Sequence, residues 1–135
     1  MSLSDAFAGL NWWAVIVAWI MHVVVSFVWF RPVFFGEAWT RLSGKELAPA
    51  VPWIPAGLAA HFVCVLALAA IVRLAGATTV LEGVVVGVFV SVCFIGALLA
   101  GELVWEKIPF RLFLIRLGDQ VLTAGIAGAI LAAWR

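Results

Sequence analysis

Charged residues are scarce in this sequence, and their scarcity excludes an ordinary water-soluble fold. Of 135 residues, 11% are charged and 67% are hydrophobic, whereas a soluble domain is about one quarter charged and one half apolar. A small domain keeps a large surface for its volume, so a soluble fold of this length could not hide so much apolar surface. The excess is therefore expected to face lipid.

Disulfide frameworks and basic clusters are also lacking. Cys64 and Cys93 are the two cysteines and lie in long apolar runs, so we expect buried thiols. The net charge is +1 and no basic patch stands out, so no nucleic-acid partner is expected. The first ten residues hold no Lys or Arg, which argues against a secretory signal peptide.

Catalytic motifs are missing as well. No Ser–His–Asp order and no paired-carboxylate site can be assembled from the few polar residues. The glycines are spaced for helix packing and follow no strand, so a nucleotide-binding fingerprint is absent. We therefore expect a protein that is not an enzyme.

What the sequence does contain is four apolar stretches, each long enough to cross a bilayer as a helix of about 20 residues. They lack the alternation of a β-barrel strand, and helices satisfy their own backbone hydrogen bonds in hydrocarbon. Pro32 closes the first stretch, and Pro49, Pro52 and Pro55 lead into the second. We predict one all-α membrane domain over residues 1–135, a four-helix bundle with spans at about 11–30, 54–75, 80–103 and 110–134.

The 31–53 segment is the one sizeable loop between the predicted spans. Phe34, Phe35, Trp39 and Leu42 recur in it at helical spacing, with polar residues between them. This pattern predicts a short amphipathic helix lying in the membrane interface after the first span. The alternative is an irregular loop with aromatic anchors.

Tryptophan and basic residues indicate the orientation. Basic residues concentrate in the 31–53 and 104–110 loops, which the positive-inside rule places in the cytoplasm, with both termini outside. Trp19 lies in the middle of a span and is expected against lipid or a partner. Seven of the eight tryptophans fall at predicted span ends, as interfacial anchors do: Trp12, Trp13 and Trp134 at one surface, and Trp29, Trp39, Trp53 and Trp105 at the other.

Small residues recur every four positions in three of the spans. Residues four apart share a helix face, and in lipid such faces let helix backbones approach closely. We therefore predict that these faces point into the bundle or toward another chain. The predicted packing residues are Ala14, Ala18 and Ser26 in the first span, Gly83, Gly87 and Ser91 in the third, and Ala124 and Gly128 in the fourth.

Polar residues of all four spans fall at a similar depth, given a rise of about 1.5 Å per residue. The predicted layer holds His22, His61, Cys93 and Asp119, with Gln120 beside it. Arg116 precedes Asp119 by three positions, so the two can pair on one face. Ionisable groups at this depth usually face protein or water.

Three interpretations of this layer stay open. It can be hydrogen-bonding glue between helices, a site for a proton or polar solute, or a metal or haem site on His22 and His61. No compact set of four ligands and no Cys-x-x-Cys-His motif occurs. We therefore expect neither a metal nor a cofactor.

Three functions correspond to these interpretations. The one we favour is an accessory or structural subunit that packs against another membrane protein or a second copy of itself. The second is an oligomeric channel or transporter for protons, ions or a small solute. The third is a haem- or metal-binding redox protein of the membrane.

Two stretches carry a resemblance to a known family. Residues 29–39 read Trp-Phe-Arg-Pro-Val-Phe-Phe-Gly-Glu-Ala-Trp, and residues 105–115 read Trp-Glu-Lys-Ile-Pro-Phe-Arg-Leu-Phe-Leu-Ile. The sequence resembles the small bacterial membrane proteins grouped as domain of unknown function 1761. The resemblance implies a four-helix fold in a bacterial inner membrane and supplies no catalytic residues. That family has Tyr-His where Asp119 and Gln120 stand here, so a family function at this position is expected to differ in this chain.

Overall fold

The computed structural model describes residues 2–48 and 50–135, and within them the chain forms helices and no strands. Pro49, one of the prolines expected before the second span, lies outside the described residues. The α-helices in chain order are α1 (Leu3–Ala8), α2 (Trp12–Trp29), α3 (Glu37–Ser43), α4 (Ile54–Leu74), α5 (Val80–Val90), α6 (Ala97–Trp105) and α7 (Phe110–Ala133).

Four helical stretches are long and apolar enough to cross a membrane, as predicted. They are Trp12–Trp29, Val51–Leu74, Val80–Trp105 and Phe110–Ala133. The second includes a 3₁₀ turn, Val51–Trp53, before α4. The third joins α5 to α6 through a π-helical turn, Ser91–Gly96, which the sequence pattern did not reveal.

The ends of these helices follow local side-chain chemistry. The side chain of Asn11 accepts hydrogen bonds from the backbone N–H groups of Trp13 and Ala14 and so begins α2. Thr79 and Glu82 form a capping box at the start of α5. Each cap satisfies backbone donors that the first helical turn leaves free.

The predicted short helix after the first span is also present. A π-helical turn, Pro32–Gly36, leads directly into α3, which ends at Gly44 in the left-handed conformation (φ 68°). Phe34 remains exposed, whereas Trp39 is half-buried against Phe30.

Helix α7 is the centre of the bundle and packs against α2, α4 and α5. Its contact with α5 is the closest, because glycine removes the side chains between the two backbones. A Cβ atom added at Gly83 would collide with the carbonyl group of Gly128, and one added at Gly87 would collide with that of Ala124. We call this close contact of α5 with α7 the seam. Ser91 lies next along it and donates a hydrogen bond to the carbonyl oxygen of Gln120 (2.9 Å).

The half of the bundle nearest the chain ends is dry and closed. Val15, Ala18, Val65, Val72 and Leu131 are at most 5% exposed and form its core with their neighbours. The short helix α1, which the sequence analysis did not anticipate, contacts α4 and buries Ala6 there.

The opposite half of the bundle is open. Every residue from 51 to 60 is exposed, because the start of α4 stands away from its neighbours. A Cβ atom added at Gly57 would meet nothing within 4 Å.

Three expectations about side-chain direction are wrong. Cys64 and Cys93 are exposed free thiols and not buried ones. Trp19 turns inward, because its indole packs edge-on against Phe62 (5.6 Å between ring centres) and donates a hydrogen bond to the carbonyl oxygen of Leu58 (3.1 Å). Helices that are apolar on every side give no periodic signal of which face points inward.

The predicted anchors at the span ends occupy two environments. Trp29 packs inside the protein, where its indole stacks on Phe35 and donates a hydrogen bond to the carbonyl oxygen of Ile115 (3.1 Å). The exposed tryptophans are Trp12, Trp13, Trp53, Trp105 and Trp134.

Candidate functional site

Two histidines meet between α2 and α4. The Nδ1 atoms of His22 and His61 lie 3.1 Å apart, and the ring centres are 4.9 Å apart at a tilt of 58°. His22 is 4% exposed and His61 is half-buried. In such a bond one Nδ1 carries the proton and the other accepts it, so the accepting ring is neutral while the bond exists. The geometry therefore links two imidazoles that can exchange one proton.

Asp119 of α7 is 3% exposed, and its two carboxylate oxygens have different surroundings. Oδ2 accepts hydrogen bonds from the hydroxyl of Ser26 (3.1 Å) and the amide nitrogen of Gln120 (3.2 Å). Oδ1 is buried and accepts no hydrogen bond from any residue that the structure describes. A buried acceptor without a donor is unfavourable by about 1–3 kcal/mol, and more when it is charged. This oxygen is therefore a strong acceptor for a proton or a cation.

A cavity of about 260 Å³ lies beside His61 and Asp119. Its walls include His61, Ser26, Asp119 and Gln120, and Arg116 stands at its edge. We call the set of His22, Ser26, His61, Asp119 and Gln120 the polar cluster. A smaller apolar cavity of about 170 Å³ lies beside it and is lined in part by His22 and Gln120.

A second, outer cavity of about 460 Å³ lies at the loop end of the bundle. Trp39, Lys45, Glu106 and Lys107 are among its lining residues, and Arg116 lines both this cavity and the inner one. Arg116 therefore lies between the two cavities. In the other direction the polar cluster ends against the dry core, so the approach is from the loop end.

Arg116 forms an ion pair with Glu102 of α6. The predicted pairing of Arg116 with Asp119 is therefore wrong, although the two are three residues apart on α7. Asp119 turns into the bundle toward Ser26, whereas Arg116 lies at the boundary of the two cavities. Glu102 balances the charge of Arg116. The carboxylate of Asp119 therefore makes the 260 Å³ inner cavity favourable for a positive charge.

The structure brings together most of the predicted polar layer. His22, His61, Asp119 and Gln120 surround connected cavities, but Cys93 is exposed and takes no part. Ser26, expected as a helix-packing residue, is the hydrogen-bond donor to Asp119. The pairing of Arg116 with Glu102 was not anticipated, because a partner on another helix leaves no trace in sequence spacing.

Metal ligation depends on clusters of suitable side chains. In the part of the chain that the structure describes, His, Cys, Asp and Glu side chains form no group of three or more able to hold a metal ion. The two histidines considered as metal or haem ligands instead share a hydrogen bond with each other.

Comparison with known proteins places these observations in a family context. The model of the family described as "Protein of unknown function (DUF1761)" matches residues 13–132. This match confirms the resemblance drawn from residues 29–39 and 105–115. No curated protein and no solved structure matches the chain.

Proposed function

Starting from the fact that this chain belongs to the DUF1761 family, whose description names no activity, we propose that it is an integral membrane protein that takes up protons into its polar cluster. The observation that carries this proposal is the unpartnered Oδ1 atom of Asp119 beside a cavity that His61 also lines. Such a role makes and breaks no bond of an organic substrate, so the protein would be neither an enzyme nor dependent on a cofactor.

Membrane insertion is supported by the outer surface of the bundle. Large apolar side chains cover the outside of the long helices, for example Phe27 (65% exposed), Phe89 (60%) and Leu98 (79%). Extended apolar surfaces of this kind are rare on soluble monomers. The third helical stretch has 26 residues and the fourth has 24, enough for a hydrocarbon core of about 30 Å at 1.5 Å per residue.

The orientation is proposed from charge. Lys45 and Lys107 line the outer cavity, and Arg31 and Arg41 lie in the same 31–53 loop. Basic loops stay in the cytoplasm. The cavity would then open to the cytoplasm of a bacterial inner membrane, with both chain ends outside.

Proton transfer within the cluster can be written atom by atom. A proton entering the inner cavity binds Oδ1 of Asp119 or the free Nε2 atom of a histidine. If His61 receives it at Nε2 while donating from Nδ1, the Nδ1 proton passes to Nδ1 of His22. His61 is then neutral again, and His22 carries the charge. Each ring returns to its starting tautomer when the proton leaves by the reverse of this path, and the step needs no oxidant or reductant.

The apolar core near the chain ends limits the side from which a proton can reach the polar cluster. Val15, Val65 and Leu131 pack beyond His22, so a proton would reach and leave the cluster from the loop end. This one-sided access fits a carrier, which exposes its site to one side of the membrane at a time, better than a continuously open channel.

Infrared spectroscopy of the purified protein in lipid tests proton uptake directly. A buried carboxyl group that gains a proton produces a carbonyl band that changes as the pH is stepped. We expect this band in the wild type, its loss in Asp119→Asn and its retention in Glu46→Gln, a matched change of an exposed carboxylate. A titrating band that survives in Asp119→Asn would refute the assignment. Proteoliposomes with an internal pH dye then show whether uptake leads to flux.

A second candidate function is the accessory-subunit role favoured on sequence grounds. It is supported by the outer face of α4, where Ala56, Ala60 and Ala67 recur and are all exposed. Small residues at such spacing let a second helix approach closely. Cys64 is exposed on the same helix and provides the test. Rapid crosslinking of Cys64 in native membranes, to a second copy or another protein, would support this role, whereas a monomer in all conditions would refute it.

A further inference from the structure

A groove of about 570 Å³ runs between α2 and α4 on the open half of the bundle. Its walls are mainly apolar and include Phe27, Phe30, Ile54 and Leu58. Ser26 and His61 lie at its inner end, where it approaches the polar cluster. The groove is thus deep, open to the outside of the bundle and separate from the outer cavity.

The groove exists because α2 and α4 contact each other in the middle and diverge toward the loop end. The Trp19 indole joins them through Phe62 and the Leu58 carbonyl group. Beyond that point Gly57 presents no side chain, and Leu47 of the loop lines the groove. The two helices therefore leave a slot that no side chain of the described residues fills.

Arg31 lies at the loop end of this groove and is the charged residue among those lining it. Its guanidinium group lies 5.4 Å from the ring centre of Phe27, so it leans on the apolar wall. Arg31 is exposed, and no carboxylate of residues 2–48 and 50–135 lies within 4.0 Å of it. An exposed, unpaired arginine at the end of an apolar slot is complementary to an anionic headgroup attached to a hydrocarbon chain.

We infer that an anionic phospholipid of the surrounding leaflet binds this groove, with its phosphate on Arg31 and one acyl chain between α2 and α4. Arginine suits the phosphate because its planar group donates two parallel hydrogen bonds to it. Basic residues on the cytoplasmic side also concentrate anionic lipids. This inference rests on the proposed membrane insertion but does not require proton uptake.

Native mass spectrometry of the full chain, released from bilayers with equal phosphatidylglycerol and phosphatidylcholine, tests this site. We expect the wild type to retain phosphatidylglycerol about fivefold over phosphatidylcholine, the preference that one basic residue at the surface supplies. Arg31→Gln should abolish the preference, and Arg31→Lys should retain part of it.

Filling the groove provides an independent variant. Gly57→Leu adds a side chain where a Cβ atom meets nothing within 4 Å, so it should occupy the acyl-chain position without disturbing the backbone. Gly101→Leu is the matched control, because a Cβ atom there also meets nothing within 4 Å and Gly101 does not line the groove. Retained phosphatidylglycerol should fall to background in Gly57→Leu and stay at the wild-type level in Gly101→Leu.

Four outcomes would overturn the inference. Equal retention of both lipids by the wild type, or no effect of Arg31→Gln and Gly57→Leu, would indicate ordinary boundary lipid. A free fatty acid in place of phospholipid would assign the groove to another ligand. A dimer lost only in Gly57→Leu would indicate a second copy in the groove.

The lipid result and the proton result are separable. Asp119→Asn should lose the titrating infrared band and keep the lipid preference, whereas Arg31→Gln should do the reverse. A wild type that shows the titrating band but no lipid preference overturns the groove assignment alone. Recovery of the chain in the aqueous fraction would overturn membrane insertion itself.

Discussion

The seam between α5 and α7 should tolerate no added carbon at Gly83. An alanine there would place its Cβ against the carbonyl oxygen of Gly128, 2.6 Å from the carbonyl carbon and 2.7 Å from Cβ of Ala132. Ordinary van der Waals contact begins at 3.4 Å, so clearing the carbonyl carbon alone requires a separation of about 0.8 Å, and clearing the nearer carbonyl oxygen requires more. The obstacle is backbone, which cannot rotate away as a flexible side chain can.

The magnitude of this effect follows from the separation. A gap of about 0.5–1 Å forfeits between a quarter and a half of the dispersion attraction of each contact, and overpacked cores lose about 1–3 kcal/mol. Because α5–α7 is the closest helix contact of the bundle and lipid supplies no hydrophobic drive for association, we expect a loss near 3 kcal/mol for Gly83→Ala.

Reversible unfolding in mixed micelles, followed by tryptophan fluorescence as sodium dodecyl sulfate is added, measures this loss. Gly125→Ala is the matched control on α7, because its Cβ would lie 3.7 Å from Val88 and 3.9 Å from Val84, an ordinary contact. Its free energy of unfolding should equal that of the wild type or exceed it slightly, since alanine favours a helix. Equal stability of Gly83→Ala and Gly125→Ala would refute the reasoning about the seam.

The remaining predictions concern single residues. Trp19→Phe removes the hydrogen bond from the indole to the Leu58 carbonyl group. It should lower the free energy of unfolding in the same assay by at least about 0.6 kcal/mol, the average for an interhelical hydrogen bond in a membrane. An unchanged free energy of unfolding would contradict the inward position of this indole. Lys107 has a φ of 52°, which costs a residue with a Cβ atom about 1–2 kcal/mol, so Lys107→Gly should raise that free energy. Lys107→Val should lower it, because a β-branched side chain fits this region worst; equal effects would argue against this backbone conformation. The side chain and backbone N–H of Ser2 lower the pKa of Asp5 from its ordinary 3.8, so the stabilisation is present above pH 3.8 and lost as the pH falls through the lowered pKa. Amide hydrogen exchange in α1, corrected for its intrinsic pH dependence, should then become less protected, and Asp5→Asn should show the same loss at neutral pH.

Much of the candidate site could be anticipated because depth along a helix is a property of sequence. His22, His61 and Asp119 fall at one level because each residue adds the same rise, and the structure places them around connected cavities. Their partners could not be anticipated in this way. Arg116 pairs with Glu102 and not with Asp119, because the choice depends on the direction in which each side chain leaves α7 and on the position of α6.

Side-chain direction was least predictable where the helices are apolar all round. Cys93 occurs in a stretch whose every face is apolar, so hydropathy could not reveal that its thiol points outward. Trp19 was expected against lipid or a partner, yet its indole joins α2 to α4. Glycine at spacing four was a better guide, because Gly83 and Gly87 can only serve close backbone approach and do so against α7.

Sequence alone determined that this chain forms four long apolar helices, where they begin and end, and which residues lie at the same depth. These properties depend on the length of apolar runs, on capping residues and on a constant helical rise, all of which are local. Tertiary structure alone decided that α7 is central, that the half near the chain ends is closely packed, and that the other half opens into a groove and two cavities that share Arg116 as a lining residue. Those features depend on how far apart the helices stand and how they are rotated about their axes, which contacts between distant residues determine.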